Sequence, residues 1–185
     1  MDDMSTPTEV LETAILGGGC FWCLEAVFER VRGLVAVQSG YCGGHVEAPT
    51  YREVSAGHTG HAEVVRVLFD PAIVSYSVLL EIFFTIHDPT TLNRQGHDVG
   101  TQYRSVIFAA DAAQLALAKS TLQQLGSAKI FPAPIVTQCE IATAFWPAEP
   151  EHDQYYAQHQ SQPYFAAVIS PKVQKFKAQF QAWWK

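Results

Sequence analysis

The stretch Gly17-Gly18-Gly19-Cys20-Phe21-Trp22-Cys23, continued by Leu24-Glu25-Ala26-Val27-Phe28-Glu29-Arg30-Val31, decides the reading of this chain. Ahead of it, Ala14-Ile15-Leu16 reads as a short buried strand. Behind it, Leu24, Val27, Phe28 and Val31 fall at i, i+3, i+4 and i+7 of a helix that Arg32-Gly33 stops. Strand, glycines and helix together place a Cys-x-x-Cys pair at a first helical turn, where unsatisfied N–H groups and the positive dipole end favour a thiolate. Cys20 is the candidate nucleophile, since the glycines before it let the backbone approach a ligand closely. Cys23, one turn on, can meet it in a local disulfide. Phe21 and Trp22 cannot both enter a core from between two sulfurs, so at least one is expected to wall a small apolar pocket. The combination implies redox chemistry on a small substrate with an apolar tail.

Further along, Leu34-Val35-Ala36-Val37 reads as a strand running into a glycine-rich turn, Gly40-Tyr41-Cys42-Gly43-Gly44, and residues 45–61 are polar and turn-rich. Ala62 to Phe69 is a strand ended by Asp70-Pro71. Leu79, Ile82, Phe83 and Ile86 stripe a second helix that His87-Asp88-Pro89 closes. Residues 90–100 have no period but many hydrogen-bonding groups, as functional loops do. Tyr103 to Ala109 is a strand, Asp111 caps a third helix with Leu115, Ala118, Leu122 and Leu125 on its core face, and Pro134 to Ile141 is a further strand. Aromatic-rich helices finish the chain. This alternation predicts an α+β fold: a two-layer sandwich with a mixed β-sheet, a ferredoxin-like core and an irregular C-terminal region. One domain is expected over residues 11–185, after a flexible lead-in over residues 1–10.

The 185 residues, 48% hydrophobic and 16% charged, suffice for one well-filled core. A net charge of -6 with no run of Lys and Arg excludes the basic surface that nucleic acid requires. The acidic, polar opening Met1-Asp2-Asp3-Met4 and the lack of any long apolar run point to a cytoplasmic protein without a membrane span. In that reducing compartment four cysteines are thiols rather than a disulfide framework.

Cys139 shares strand parity with Ile135 and Ile141, which predicts a buried, inert thiol. Cys42, in a glycine turn, reads as an exposed extra thiol. Glu63 opens a strand whose odd positions Val65, Val67 and Phe69 are apolar, so it shares their face; a buried carboxyl there would stay protonated and donate a proton, whereas a strand-end carboxyl in water would not. Tyr51 and Tyr103 flank polar loops, as core tyrosines or as donors to a substrate oxygen. A zinc module built on Cys20, Cys23, Cys42 and a histidine lacks the second close ligand pair such sites use. A thioredoxin-like disulfide oxidoreductase rests on the Cys-x-x-Cys pair alone.

These residues resemble one family, the A-type peptide methionine sulfoxide reductases. The resemblance lies in Gly19-Cys20-Phe21-Trp22, Gly40 to Gly44, Thr50 to Val54 followed by Gly57 to Glu63, Asp88-Pro89-Thr90, Asn93 to Ser105, and Phe145 to Glu149. It implies that Cys20 attacks the sulfoxide sulfur, Glu63 protonates the leaving oxygen, and Tyr51 and Tyr103 hydrogen-bond that oxygen. Phe21 and Trp22 would hold the substrate methyl group, and Asp98 would face its polar side. Many members recycle through cysteines in a C-terminal glycine-rich tail, but no cysteine follows Cys139 here. The Cys-Phe-Trp-Cys pattern resembles a subgroup that resolves a sulfenic acid locally, which assigns Cys23 and makes thioredoxin the reductant, with Cys42 as the competing resolver. A monomer with no cofactor and no metal is the expectation.

Overall fold

The computed structural model describes residues 10–185, so the lead-in expected over residues 1–10 lies almost wholly outside the described residues. The chain runs β1 (Glu12–Gly17), α1 (Phe21–Phe28), β2 (Leu34–Cys42), α2 (Tyr51–Ser55), β3 (Ala62–Phe69) and α3 (Tyr76–Ile86). A small hairpin of β4 (Arg94–Gln95) and β5 (Asp98–Val99) and a 3-10 turn at Thr101–Tyr103 lead into β6 (Val106–Ala109). Then come α4 (Ala112–Ser127), β7 (Gln138–Ile141), β8 (Trp146–Pro147), α5 (Tyr155–His159), a π-helical turn at Phe165–Ile169 and α6 (Ser170–Gln179).

Local chemistry explains the helix starts. Thr50 and Glu53 form a reciprocal capping box on α2, Ser75 accepts from the Val78 amide, and Asp111 accepts from the Gln114 amide. The six-stranded sheet has the order β7-β6-β1-β3-β2-β8. Within it, β6-β1-β3-β2 are antiparallel and joined through α1 and α3, the ferredoxin-like arrangement the sequence predicts. β7 joins β6 in parallel across α4 and makes the sheet mixed.

Strand parity divides the interior. Ala14, Leu16, Tyr41, Val65, Val67 and Phe69 meet the helices in the main core, whereas Ile15, Cys42, Ala62, Val64, Val106 and Phe108 form a smaller cluster on the opposite face. Several boundaries differ from the sequence reading: β1 begins at Glu12, β2 runs on through the expected glycine turn to Cys42, β7 is limited to Gln138–Ile141, and Tyr103 belongs to the 3-10 turn rather than to β6. As an edge strand β7 leaves Cys139 half-buried and Ile141 47% exposed, so parity did not predict burial there. In α4 only Gln114 and Ala118 are buried, and Gln114 ties the helix to β1 by donating to the Thr13 carbonyl at 2.9 Å.

The glycines between β1 and α1 are set by space. A Cβ on Gly17 would stand 2.9 Å from Val106 and 3.0 Å from the Glu63 carbonyl oxygen, and Gly19 has φ +95. Gly19→Ala is expected to destabilise the fold by about 1–2 kcal/mol, because an L side chain must adopt the left-handed region. Chemical denaturation midpoints of the two proteins check this.

Candidate active site

Cys20 is the N-cap of α1, two residues removed from the end of β1 by Gly18 and Gly19, and the Cys23 amide donates to its carbonyl at 3.1 Å to close the first turn. The two residues are 7% and 2% exposed and are free thiols. Glu63 enters the same turn from β3: its Oε1 accepts from the Phe21 amide at 3.1 Å, while its Oε2 is buried without a partner. The register pairs Glu63 with Tyr41, and burial pushes the Glu63 carboxyl up to about 8, the Phe21 amide opposing. A 1% exposed side chain settles its location: Glu63 is in the core beside Cys20, not a strand-end carboxylate in water.

The helix terminus does not keep Cys20 ionised, as the sequence suggests it would. The Phe21 amide, a free donor in the sequence reading, is taken by Glu63. Burial, contact with Cys23 and the neighbouring Glu63 raise the Cys20 thiol well above the ordinary thiol range, outweighing the Trp22 amide that favours the thiolate. Cys23 moves the other way, drawn down chiefly by its contact with Cys20.

Phe21 is fully buried and Trp22 partly exposed. The Phe21 ring lies 5.8 Å from Tyr41 and 6.1 Å from Tyr51. Trp22 stacks on Tyr155 at 4.3 Å and donates from Nε1 to His152 Nδ1 at 3.2 Å. Glu149 fixes this wall by accepting from the Tyr41 hydroxyl at 3.1 Å and from the Tyr51 amide at 3.2 Å. Burial and then Glu63 push the Tyr51 hydroxyl up to about 12 and raise Tyr103 as well, so both remain proton donors facing the carboxyl.

On its other side Cys20 borders a cavity of about 200 Å³ shared with Cys23, Gln95, His97, Asp98, Tyr164 and Lys172. Asp98 accepts from the Tyr164 hydroxyl at 3.1 Å. Phe21, Trp22, Tyr51, Tyr103 and Glu63 do not line this cavity. Sequence reasoning missed His152, Tyr155, Tyr164 and Lys172. Their only signal was the aromatic density of the C-terminal region.

Cys42 requires a correction. Rather than an exposed turn thiol, it is the last residue of β2, fully buried, with its sulfur 3.8 Å from the Thr143 carbonyl oxygen. It pairs with Ala62 on the small-cluster face, opposite the face of Tyr41 and Glu63, so the sheet separates it from Cys20. The fold thus does not assemble Cys20, Cys23 and Cys42 into one ligand set.

Comparison with known proteins agrees with this geometry. The family model described as peptide methionine sulfoxide reductase matches residues 12–184. A peptide methionine sulfoxide reductase MsrA of Ralstonia nicotianae is 56% identical over 179 residues, covering 95% of this chain and 94% of that protein. One from Chromobacterium violaceum is 56% identical over 170 residues, covering 92% and 97%. The crystal structure of Mxr1 from Saccharomyces cerevisiae in reduced form superposes with a TM-score of 0.76 at 31% identity, covering 82% of this chain and 87% of that one. No helix among the described residues is long and apolar enough to cross a membrane. A match along nearly the whole chain, with relatives above half identical, makes this oxidoreductase a member of the A-type peptide methionine sulfoxide reductase family.

Proposed function

We propose that the chain reduces methionine S-sulfoxide, free or within proteins, with Cys20 as nucleophile and Glu63 as the group that moves the proton. The buried Glu63 Oε2 carries this reading: an unpartnered carboxyl oxygen, protonated at neutral pH, stands beside the Cys20 thiol. Protonated Glu63 gives its proton to the sulfoxide oxygen, and as the Cys20 sulfur attacks, the resulting carboxylate takes the thiol proton. The oxygen passes to sulfur, leaving methionine and a Cys20 sulfenic acid, with atoms and protons balanced. Tyr51 and Tyr103 donate to the same oxygen. Phe21 and Trp22 provide the apolar surface for the methyl group, and Asp98 the polar side. A plain disulfide exchanger would have no use for a protonated carboxyl and two tyrosines at its nucleophile.

Cys23 then attacks the sulfenic sulfur, forming a Cys20–Cys23 disulfide and releasing water, and thioredoxin reduces the disulfide. Cys23 lies one helical turn from Cys20, while Cys42 is behind the sheet. Cys23→Ser is expected to release about one equivalent of methionine per enzyme, then stall as a sulfenic acid that dimedone traps. Normal recycling of Cys23→Ser with thioredoxin, together with failure of Cys42→Ser, would overturn the local resolution.

A further inference from the structure

Tyr164, Val168 and Lys172 recur every four residues along the helical stretch that passes through the π-turn into α6, and all three line the cavity holding Cys20 and Cys23. π-Turns inside helices accompany functional sites, where they re-aim side chains. The ion pairs among the described residues join Arg30 to Glu29 and His152 to Glu149, so neither engages Lys172. No hydrogen bond of its ammonium occurs among the described residues either, although Asp98 lines the same cavity. A half-buried cation thus shares a small cavity with two thiols and has no fixed partner.

We propose that Lys172 is a positioning residue for the second half of the cycle: its ammonium holds Cys23 as the thiolate that attacks the Cys20 sulfenic acid. This rests on the local disulfide proposed above. In that step the Cys23–Cys20 sulfur bond forms, the Cys20 S–O bond breaks, and the departing oxygen takes two protons, its own and one from solvent, to leave as water. Cys23 is oxidised and Cys20 reduced, with no further reactant.

The need for Lys172 arises from the oxidation itself. In the resting enzyme the strongest influence lowering Cys23 is the Cys20 thiol, and that thiol no longer exists once Cys20 carries oxygen. Lys172 and then Tyr164 are the remaining side chains favouring the Cys23 thiolate, against burial and Asp98. The charged and titratable groups facing Cys23 are therefore Cys20, Lys172, Tyr164, Asp98 and Glu63, and His97 also lines the cavity. Without the cation, the Cys23 thiolate would be less favoured beside the oxidised nucleophile.

The expected effect is modest and has a distinctive pH signature. A cation that lowers Cys23 raises its thiolate fraction below its midpoint by more than it weakens the thiolate as a nucleophile, because nucleophilicity follows acidity with a slope of only about 0.4–0.5, so a net gain of about threefold is expected. The test follows decay of the dimedone-reactive Cys20 sulfenic acid after mixing reduced protein with one equivalent of methionine sulfoxide. For Lys172→Met, decay should be about threefold slower near pH 7 and no slower, or faster, above the Cys23 midpoint, where the less acidic thiolate is the better nucleophile. Alkylation of Cys23 by iodoacetamide, read by peptide mass spectrometry, should shift its midpoint upward. Lys172→Arg should restore the wild-type profile, and the methionine burst should stay within about twofold of wild type because Glu63 and Cys20 govern it. Equal slowing at every pH, an unmoved alkylation midpoint, or no rescue by arginine would overturn the proposal, and Lys172→Gln provides the same comparison if the methionine variant folds poorly. A wild-type protein that releases no methionine burst would instead overturn the reductase mechanism itself.

Discussion

Replacing Cys20 by serine is expected to remove methionine sulfoxide reduction, a loss on the order of 10⁴-fold or more, as when the nucleophile of a covalent mechanism is deleted. Two physical reasons combine. A serine hydroxyl is a far weaker nucleophile than sulfur in any protonation state accessible here. Accepting the sulfoxide oxygen would also require an O–O bond in place of the S–O bond that sulfur forms readily. The substitution exchanges one small buried atom for another, so the fold should persist, and thermal unfolding should remain cooperative. Titratable thiols should fall from four to three, and the methionine burst should vanish. Retention of more than a trace of turnover would transfer the nucleophile to another residue, and the only other thiol lining the cavity is Cys23.

Alkylation of the reduced wild-type protein tests the opposite shifts of the two thiols. Burial, Cys23 and Glu63 raise the Cys20 thiol, and contact with Cys20 draws Cys23 down. The reduced wild-type protein should therefore be alkylated at Cys23 before Cys20 near neutral pH, if both are equally reachable. Attack by Cys20 then depends on substrate: only when the sulfoxide oxygen has taken the Glu63 proton is there a carboxylate to accept the proton from Cys20.

The sequence showed what local pattern controls. Three glycines before a Cys-x-x-Cys pair and an i, i+3, i+4 stripe located the strand, the turn and α1. Period-two alternation in β3 put Glu63 on the face of Val65, Val67 and Phe69, where it lies. Parity could not decide burial at the end of a strand, because that depends on what covers the strand: Tyr41 across the register and α1 above. Cys42 was misread for a related reason. Glycines around it suggested a turn, but Gly40 is required within β2, where a Cβ would stand 2.5 Å from the Trp146 carbonyl oxygen of β8. The thiolate expectation failed because Cys20 is buried beside Cys23 and Glu63, and the Phe21 amide next to it is claimed by a carboxyl 42 residues away. His152, Tyr155, Tyr164 and Lys172 reach the site only through packing of the C-terminal helices on α1, a contact with no local signature.

Glu63→Gln is expected to slow the reductase step by about 10²-fold or more, because general acid catalysis contributes that range and an amide cannot donate a proton of comparable acidity. The isosteric side chain can still accept from the Phe21 amide, so a loss of rate will not reflect a lost helix contact. The pH profile separates chemistry from structure. With the wild-type carboxyl pushed up to about 8, single-turnover rates should hold near neutral pH and fall as pH rises through that value, and Glu63→Gln should lack this limb. Stability should also separate the two proteins, through the wild-type carboxyl alone. A carboxyl raised from about 4.5 unfolded to about 8 folded contributes stability that is full below 4.5 and lost as pH rises through 8. Denaturation midpoints of the wild type should therefore decline across that window relative to Glu63→Gln, which has no proton to lose. Wild-type rates in the variant at every pH would remove Glu63 from the reaction. Parallel stability curves would instead show that its carboxyl ionises normally and was never held for proton transfer, because the burial that raises a catalytic acid must also make its ionisation unfavourable to the fold.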